Sequence, residues 1–544
     1  MTPEDVSGTK TEEKTFFART SSGLVREFGA ADALLMSSAA IFSLVFTILQ
    51  FPWFYGFNQG ADLATGLAVV TVPFLVLMLV YWAMGVIMPR SGNDYVWIAR
   101  VISPSVGFAW SFLYMFAVLT TAFVGGTYAL ASGISTSVAV WGSIYNDQGL
   151  LNLASTLSQP IWGFTISVLF TLFFAALSLL GAKLVKRFIY TVWAIAVVGI
   201  VLIWGLLLTT TPAAYAANWD KVLSSYSTYE NIITVAQHTG WTAPAITLGA
   251  SLAAIPFAAL FPLGGNFTNI VAGEIKNTKR VLPIALIVSL LLANTIWAIT
   301  ATLAMNGFGA NWMYAVGHLW DVTPANYSAT ISVAPTFPLM MSVAAYPNSV
   351  LMFLVLFTIM AGSLVAPFVY FWIPSRYFFA WSFDRIIPSK IAEVNKRFRT
   401  PHYSVLSITV LCIVMVAVYW FTSYSTQFTL GTFLWLVCFT IPGIATMVFP
   451  YKMKELFNSS PGWMRMKIAG IPILSILGAL TAILFAYIGY LAVANPLITA
   501  VTQTGGIIAA AIVIACFIVY FASKSYHKSH GLDTDLAFKE IPPV

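Results

Sequence analysis

Charged side chains are scarce in this sequence. Asp, Glu, Lys and Arg together make up 8% of its 544 residues, whereas hydrophobic residues make up 59%. A water-soluble protein of this length cannot cover its surface with so few charges, because exposed positions are mostly filled by polar and charged residues. The composition therefore excludes a soluble globular protein and indicates a membrane protein.

Several functional motifs are also missing. The sequence has no phosphate-binding loop of the G-x-x-x-x-G-K-[ST] type, so it carries no ATP motor of its own. It has no repeated TVGYG-like segment, which excludes a potassium-type selectivity filter. Its three cysteines, Cys412, Cys438 and Cys516, fall inside apolar runs, so neither a disulfide nor a metal site is indicated.

Ionisable residues are lacking in the middle of the apolar runs. Asp32, Asp94, Glu274 and Asp384 fall at the ends of runs or in loops. Intramembrane enzymes and carboxylate proton relays place ionisable groups at membrane depth. This distribution argues against both classes, and we predict neither catalytic residues nor a cofactor.

What the sequence does contain is a series of apolar runs of about 20 residues, the length of a helix that crosses a bilayer. In lipid each run must be helical, because every backbone polar group needs an internal partner. The predicted spans are 30–52, 65–88, 105–140, 161–181, 188–210, 246–273, 281–306, 349–373, 403–422, 428–449, 469–493 and 505–522. We read the mixed segment 307–348 as a long outer loop with short helices.

The basic residues predict the orientation of the spans, because Lys and Arg accumulate on the cytoplasmic side. With the N-terminus inside, all of the 26 Lys and Arg residues except Lys221 fall in cytoplasmic segments. One helix more or fewer would destroy this alternation. We therefore predict an even number of spans with both termini in the cytoplasm, and we interpret the net charge of +7 as a topology signal with no nucleic-acid partner.

The sixth span contains an unusual stretch, FPLGGNFTN, at residues 261–269. Proline lacks the amide donor and clashes with the preceding turn, and paired glycines add backbone freedom. The stretch predicts that this span is interrupted. Exposed backbone at membrane depth is tolerated where it lines a cavity or is buried in protein, and the freed amides near Asn266–Asn269 would suit an anion. Transporters with broken helices build midplane binding sites in this way; a kink without a ligand is the alternative.

Four segments resemble motifs of the amino acid–polyamine–organocation (APC) superfamily. P-L-G-G-N-F-T-N-I-V-A-G-E-I-K-N-T-K-R-V-L-P (262–283) is similar to its broken sixth helix and the exit from it. M-P-R-S-G-N-D-Y-V-W-I-A-R (88–100) resembles the loop between helices 2 and 3. P-S-R-Y-F-F-A-W-S-F-D-R-I-I-P (374–388), followed by R-T-P (399–401), resembles the loop after helix 8. The G-x-K that opens helix 5 is matched at 181–183.

The resemblance implies a fold and a division of the chain. The fold is an all-α integral membrane protein with about twelve transmembrane helices, in a five-plus-five inverted repeat with discontinuous helices 1 and 6. The implied parts are a cytoplasmic tail (1–28), the first repeat (29–210), an extracellular loop (211–245), the second repeat (246–450), helices 11 and 12 (451–522) and a C-terminal cytoplasmic tail (523–544).

The resemblance also implies the residues of the substrate site. Those on helix 1 are Ile41, Ser43, Leu44 and Val45, and those on helix 6 are Leu263, Gly264, Gly265, Asn266 and Phe267. A substrate carboxylate would meet helix-1 amides, and its amino group would meet helix-6 carbonyls. Many relatives carry an acid at the position of Asn266, so its neutrality weakens the case for cationic substrates. Ser37 and Ser38 could satisfy freed backbone or simply pack an intact helix.

The coupling ion is left open by the sequence. Some relatives carry a helix-5 lysine where others bind sodium; that position falls near Ala196, so the lysine is absent. Sodium sites of this fold use helix-8 hydroxyls, and Thr358 and Ser363 are the candidates here. Such hydroxyls usually bond back to a helix carbonyl. Coupling to H⁺, coupling to Na⁺ and exchange are all open.

We therefore predict a secondary active transporter that moves an amino acid or a related amine-containing solute across the plasma membrane by alternating access. The predicted partners are this small solute and the lipid bilayer, and the sequence does not indicate an oligomeric state. One alternative is a transporter of the same fold for a nucleobase, polyamine or organic acid. Another is a solute sensor that has lost transport.

Overall fold

The computed structural model describes residues 23–41, 53–330, 334–422, 428–494 and 503–542. These parts are almost entirely helical, and their sheet structure is one hairpin in which β1 (Lys467–Ile468) pairs antiparallel with β2 (Ile471–Pro472). The prediction of an all-α membrane protein is confirmed.

The helices follow one another along the chain with short connections. The first half contains α1 (Ala30–Ile41), α2 (53–57), α3 (Leu63–Ile87), α4 (Asn93–Val101), α5 (Pro104–Val118), α6 (Gly125–Tyr145), α7 (Gln148–Leu157), α8 (Pro160–Leu179), α9 (Ala182–Thr209), α10 (Pro212–Leu223), α11 (Tyr229–His238), α12 (Leu248–Ala253), α13 (Ile255–Ala258) and α14 (Phe267–Ile270). The second half contains α15 (Thr278–Pro283), α16 (Ser289–Phe308), α17 (Ala310–Asp321), α18 (Pro324–Thr330), α19 (Phe337–Ala345), α20 (Ser349–Gly362), α21 (Val365–Trp372), α22 (Ser375–Phe383), α23 (His402–Phe421), α24 (Phe428–Cys438), α25 (Thr440–Lys452), α26 (Lys454–Asn458), α27 (Ile473–Ala494) and α28 (Gln503–Ser529).

Shorter helical segments complete the chain. π-helical segments at Leu119–Val124 and Ile284–Val288 join α5 to α6 and α15 to α16. One-turn 3-10 segments lie at Ala272–Glu274, Ser389–Ala392, Gly462–Arg465 and Thr534–Lys539.

Ten helical stretches among the described residues are long and apolar enough to cross a membrane. They match ten of the twelve predicted spans, and the two without such a stretch are the first and the sixth. Part of the first span, 42–52, lies outside the described residues. The sixth is broken into α12, α13 and α14. The total of twelve spans and the inverted repeat stay predictions.

Two boundaries differ from the sequence prediction. Residues 375–383, assigned above to a loop, form α22. Pro374 precedes this helix at its N-cap, where a missing amide costs nothing, and the aromatic side chains Tyr377 and Trp381 are buried. The last helix continues to Ser529, past the predicted end at 522.

The interrupted sixth span lies in the middle of the helix packing. α1 contacts α14 and α21, and α14 also contacts α3 and α4. The aromatic residues of α5, α21 and α24 surround the same segment. These contacts place the break in the buried core of the protein.

Candidate substrate site

The helix break covers residues 259–266. α13 ends at Ala258, α14 begins at Phe267, and the backbone between them forms consecutive turns. Gly264 has φ of +86°, a conformation that costs an L-residue roughly 1–2 kcal/mol. The predicted interruption of the sixth span is therefore present, and its left-handed residue is the glycine that the sequence singled out.

Gly264 is also confined by space. A Cβ atom at this position would lie 2.9 Å from the hydroxyl of Tyr370 and 3.1 Å from Cβ of Ala40. The break is thus pressed against α1 on one side and α21 on the other. Both the backbone conformation and the close approach require glycine here.

Carbonyl groups at the break are satisfied by side chains of neighbouring helices. The Ser37 hydroxyl donates to the Gly265 carbonyl at 3.2 Å, and the Tyr370 hydroxyl donates to the carbonyls of Leu263, at 3.3 Å, and Ala40. The Thr268 hydroxyl hydrogen-bonds Ser37 and donates to a carbonyl of α1 at Ala33. The broken segment and α1 therefore form one hydrogen-bonded unit.

The amides at the break are in the opposite situation. Within the part of the chain that the structure describes, the amides of Leu263, Gly264 and Asn266 donate to no backbone carbonyl. Buried backbone amides normally have partners. This segment can therefore offer donors to an anionic or carbonyl group, while its Leu263 and Gly265 carbonyls already accept hydrogen bonds.

Asn266 is fully buried and paired with α5. Its side-chain oxygen accepts a hydrogen bond from the Tyr114 hydroxyl at 3.1 Å, and its side-chain nitrogen lies 2.9 Å from the same hydroxyl. The first contact uses the hydroxyl hydrogen and the second an amide hydrogen of Asn266, so Tyr114 acts as donor in one and as acceptor in the other. A neutral polar pair thus occupies the place where an acid was discussed above.

Aromatic rings enclose the break. The Phe267 ring stacks on Trp435 of α24, with centroids 5.8 Å apart and planes at 20°, and meets Tyr370 edge-on at 5.2 Å. Tyr114 contacts both Phe267 and Trp435 edge-on. These side chains are buried, so the break is closed off from solvent.

The structure brings together the helix-6 part of the predicted site. Leu263, Gly264, Gly265, Asn266 and Phe267 form one buried segment. On helix 1, Ile41 is the last residue of α1, and Ser43, Leu44 and Val45 lie outside the described residues. The assignment of all nine residues to a substrate site stays a prediction.

The two candidate sodium ligands both bond back within their helix. The Thr358 hydroxyl donates to the Leu354 carbonyl at 2.8 Å, and the Ser363 hydroxyl donates to the Ile359 carbonyl at 2.6 Å. Each hydroxyl oxygen keeps acceptor capacity, so the sodium site stays an untested prediction.

Sequence reasoning missed Tyr370, Thr268 and Trp435. Tyr370 and Trp435 are two of many aromatic residues in apolar runs, and nothing in their spacing marks them. Ser37 was considered for satisfying freed backbone, and it does so, but on the helix-6 carbonyl of Gly265. Ser38, its neighbour, bonds back to Leu34 within α1.

Two buried ion pairs lie near the ends of the spans. Arg376 of α22 makes two hydrogen bonds to Glu274, at 3.0 and 2.9 Å. Arg100 of α4 makes two to Asp384, at 3.1 and 3.0 Å. All four side chains are buried. These residues were expected at span ends, but the sequence did not indicate their pairing.

Glu274 joins several segments at once. Its carboxylate also accepts a hydrogen bond from Ser91 at 3.3 Å, and its carbonyl accepts the amides of Glu27 and Phe28 at 3.0 and 3.1 Å. The Arg376 guanidinium lies over the Trp372 ring at 4.3 Å. The segment after the broken helix is thereby tied to the chain before α1, to the segment before α4 and to α22.

Asp94, in the first turn of α4, is the third buried carboxylate of the described residues. Its oxygens accept hydrogen bonds from the Tyr377 hydroxyl at 2.8 and 2.9 Å, and one accepts the Tyr95 amide at 3.0 Å. Burial raises the pKa of Asp94 to about 7, and the hydrogen bonds from Tyr377 and from the backbone act in the opposite direction. Asp94 is therefore more readily protonated than an aspartate in water.

A bundle of long apolar helices around an interrupted, buried helix with open amides is the architecture of a membrane transporter. A family model described as amino acid permease matches residues 28–519. The chain belongs to this amino acid permease family, whose members are transporters and not enzymes. The resemblance derived from the four sequence motifs is thus confirmed. Among curated proteins, none matches the chain.

Proposed function

We propose that this protein is a secondary active transporter that carries an amino acid across the plasma membrane by alternating access, with both termini in the cytoplasm. The observation that carries the proposal is the break at 259–266, where a left-handed glycine is held against α1 and α21. Family membership supports the solute class.

The donors and acceptors at the break favour a substrate carboxylate at the helix-6 amides, whereas the resemblance implies a carboxylate at helix-1 amides and an amino group at helix-6 carbonyls. The Leu263 and Gly265 carbonyls are already hydrogen-bonded to Tyr370 and Ser37, whereas neighbouring amides are open within the described residues. Helix amides favour negative groups. The ring of Phe267 and its aromatic neighbours would cover an apolar side chain, and the neutral Asn266 offers no charge to a cationic one.

The closed packing around the break supports alternating access. Tyr114, Phe267, Tyr370 and Trp435 fill the space beside the broken segment. A solute can reach the open amides only if α1 and the broken segment move relative to α5, α21 and α24. The hydrogen bonds of Ser37 and Thr268 would carry α1 and the sixth helix together in that motion.

The test is uptake of radiolabelled amino acids into proteoliposomes by the wild type, Gly264→Ala and Gly249→Ala. Gly249 lies in α12, where an added Cβ meets no atom within 4 Å, so its variant is a matched control. We expect one class of amino acid to be taken up by the wild type and by Gly249→Ala. Gly264→Ala should lose most of this uptake, because its Cβ meets Tyr370 and its φ is positive.

Three results would contradict parts of the proposal. Saturable binding of an amino acid in a thermal-shift screen without any uptake would favour the sensor. Uptake of a nucleobase, polyamine or organic acid alone would keep the transport mechanism but replace the solute class. Equal uptake by the two glycine variants would remove the break from the site.

A further inference from the structure

Asp94 differs from the other buried carboxylates of the described residues in having no cationic partner. Glu274 is paired with Arg376 and Asp384 with Arg100, whereas the side-chain bonds to Asp94 come from the Tyr377 hydroxyl. A buried carboxylate that lacks a cation is costly to keep charged, so it takes up a proton instead. The proposed transport mechanism does not yet involve Asp94.

The groups that face Asp94 come from four elements. Tyr377 of α22 donates to it, and the hydroxyls of Tyr81 on α3 and Tyr114 on α5 are close enough to interact with it electrostatically. Tyr95 lies on the same helix as Asp94, and its hydroxyl donates a hydrogen bond to Asp384. The charged groups on α4 and on the elements packed against it do not face Asp94. Arg100 and Arg376 are paired with carboxylates, Lys452 donates to the Ile102 carbonyl, Asp535 is paired with Lys524, and Lys539 is exposed.

Two packed tyrosines, Tyr377 and Tyr114, lie between Asp94 and the break. The Tyr377 ring meets the Tyr114 ring edge-on at 6.3 Å, and the Tyr114 hydroxyl is hydrogen-bonded to Asn266. The Tyr81 hydroxyl lies beside them and is buried. Hydroxyl groups both donate and accept. The tyrosine hydroxyls can therefore reorient when the charge of Asp94 changes.

We propose that Asp94 is the binding site of the coupling proton, and that Tyr377 and Tyr114 connect its charge to the broken helix at Asn266. The inference rests on the proposed transport function. In the closed arrangement the carboxyl group holds the proton and is neutral. When the layer formed by α4 and α22 opens to water, the carboxylate is solvated and releases the proton to that side.

The surroundings of Asp94 suit a proton. Its carboxylate accepts hydrogen bonds from the Tyr377 hydroxyl and from a backbone amide, and it is not paired with a cation among the described residues. Asp94 already provides an ionisable group whose desolvation changes with opening. Opening of the layer and release of one proton are then the same event.

The first experiment measures protonation directly and without substrate. The infrared carbonyl stretch of a protonated carboxylic acid is recorded for the purified full chain from about pH 5 to pH 9. We expect a band that loses intensity near neutral pH in the wild type, and we expect this loss to be absent in Asp94→Asn. The control is Asp147→Asn, because Asp147 is exposed and asparagine caps a helix as well as aspartate does. A band that is the same in both variants would overturn the proposal.

The second experiment measures coupling with a radiolabelled mixture of the standard amino acids. For one proton per solute, a gradient of about one pH unit supports about tenfold accumulation. We expect this accumulation in the wild type and in Asp147→Asn, and its loss in Asp94→Asn. Counterflow at equal pH is recorded in parallel, and the ratio of accumulation to counterflow is the readout that a merely structural role would not change.

A third variant addresses the case in which Asp94→Asn fails to fold. Tyr377→Phe removes a hydrogen bond that stabilises the charged form of Asp94. The midpoint of the pH dependence of the infrared band should therefore move to higher pH. Tyr526→Phe, at an exposed tyrosine, is the matched control and should leave the midpoint unchanged. An unshifted midpoint in Tyr377→Phe would contradict the assignment.

The outcomes separate the two proposals. Two outcomes would overturn the role of Asp94 and leave transport standing. In the first, counterflow is present and accumulation follows a sodium gradient alone; in the second, Asp94→Asn accumulates as much solute as the wild type. A wild type without counterflow for any amino acid would contradict the proposed function, and the coupling role would fall with it.

Discussion

Tyr370 stabilises the interruption of the sixth helix, which Pro262, Gly264 and Gly265 predict from the sequence. Its hydroxyl donates to carbonyls on both sides of the site, at Ala40 and at Leu263, and the same hydroxyl limits the space at Gly264. A carbonyl released from its helix and buried without a partner costs free energy. At the residue scale, the interruption is stable because side chains from other helices replace the lost helix hydrogen bonds.

Tyr370→Phe tests this role. The variant keeps the ring against Phe267 but leaves buried carbonyls without their donor, so we expect a loss of stability of about 1–3 kcal/mol. Thermal unfolding in detergent would measure the loss, with Tyr526→Phe at an exposed position as control. Equal melting temperatures of the two variants would show that the hydroxyl does not stabilise the break.

At the scale of elements, ion pairs hold the ends of the broken helix and of α22 together. The Arg376–Glu274 pair has side chains that are 3% and 6% exposed, whereas the Lys524–Asp535 pair is 36% and 45% exposed. Removing one partner of a buried pair leaves an uncompensated charge. An exposed ion pair contributes little to the free energy of unfolding, because water screens the attraction between its charges.

A double-mutant cycle distinguishes the two pairs. Glu274→Gln or Arg376→Gln alone should lower the free energy of unfolding by about 3–5 kcal/mol, and the double variant should cost less than the sum. Lys524→Gln should cost at most about 1 kcal/mol. Additive losses at Glu274 and Arg376 would mean that the pair does not act as a unit.

At the scale of the whole molecule, distant parts of the chain meet at α4. Arg100 is paired with Asp384 and also donates to the Glu540 carbonyl at 2.9 Å, with its guanidinium 5.2 Å from the Phe538 ring. Arg90 donates to the Pro542 carbonyl. The layer formed by α4 and α22, which contains Asp94, is therefore also tied to residues 538–542.

This burial predicts a pH dependence of stability. The pKa of Asp94 is raised from 3.8 to about 7 in the folded protein, so between these values the folded state holds a proton that the unfolded state has lost. The contribution is therefore present at low pH and is lost as the pH rises through that window. We expect the melting temperature to fall between about pH 4 and pH 7, and Asp94→Asn to flatten this fall relative to Asp147→Asn. A parallel decline in both variants would assign it to other groups.

The sequence by itself determined the membrane class, ten of the spans and the place of the break. Apolar runs must be helical in lipid, and Pro262 with Gly264 removes helix hydrogen bonds at one point whatever surrounds it. The four motifs also identified the family that the match over 28–519 confirms.

Tertiary structure alone decided what completes the break and which charges are buried. Nothing near Tyr370 in the chain predicts that it faces Leu263, and nothing near Asp94 predicts that Tyr377 covers it. A residue at a span end can lie in water or in the core, and local sequence does not separate these cases. Asp94 was assigned to a loop for this reason, because burial and pKa depend on helices that meet only after folding.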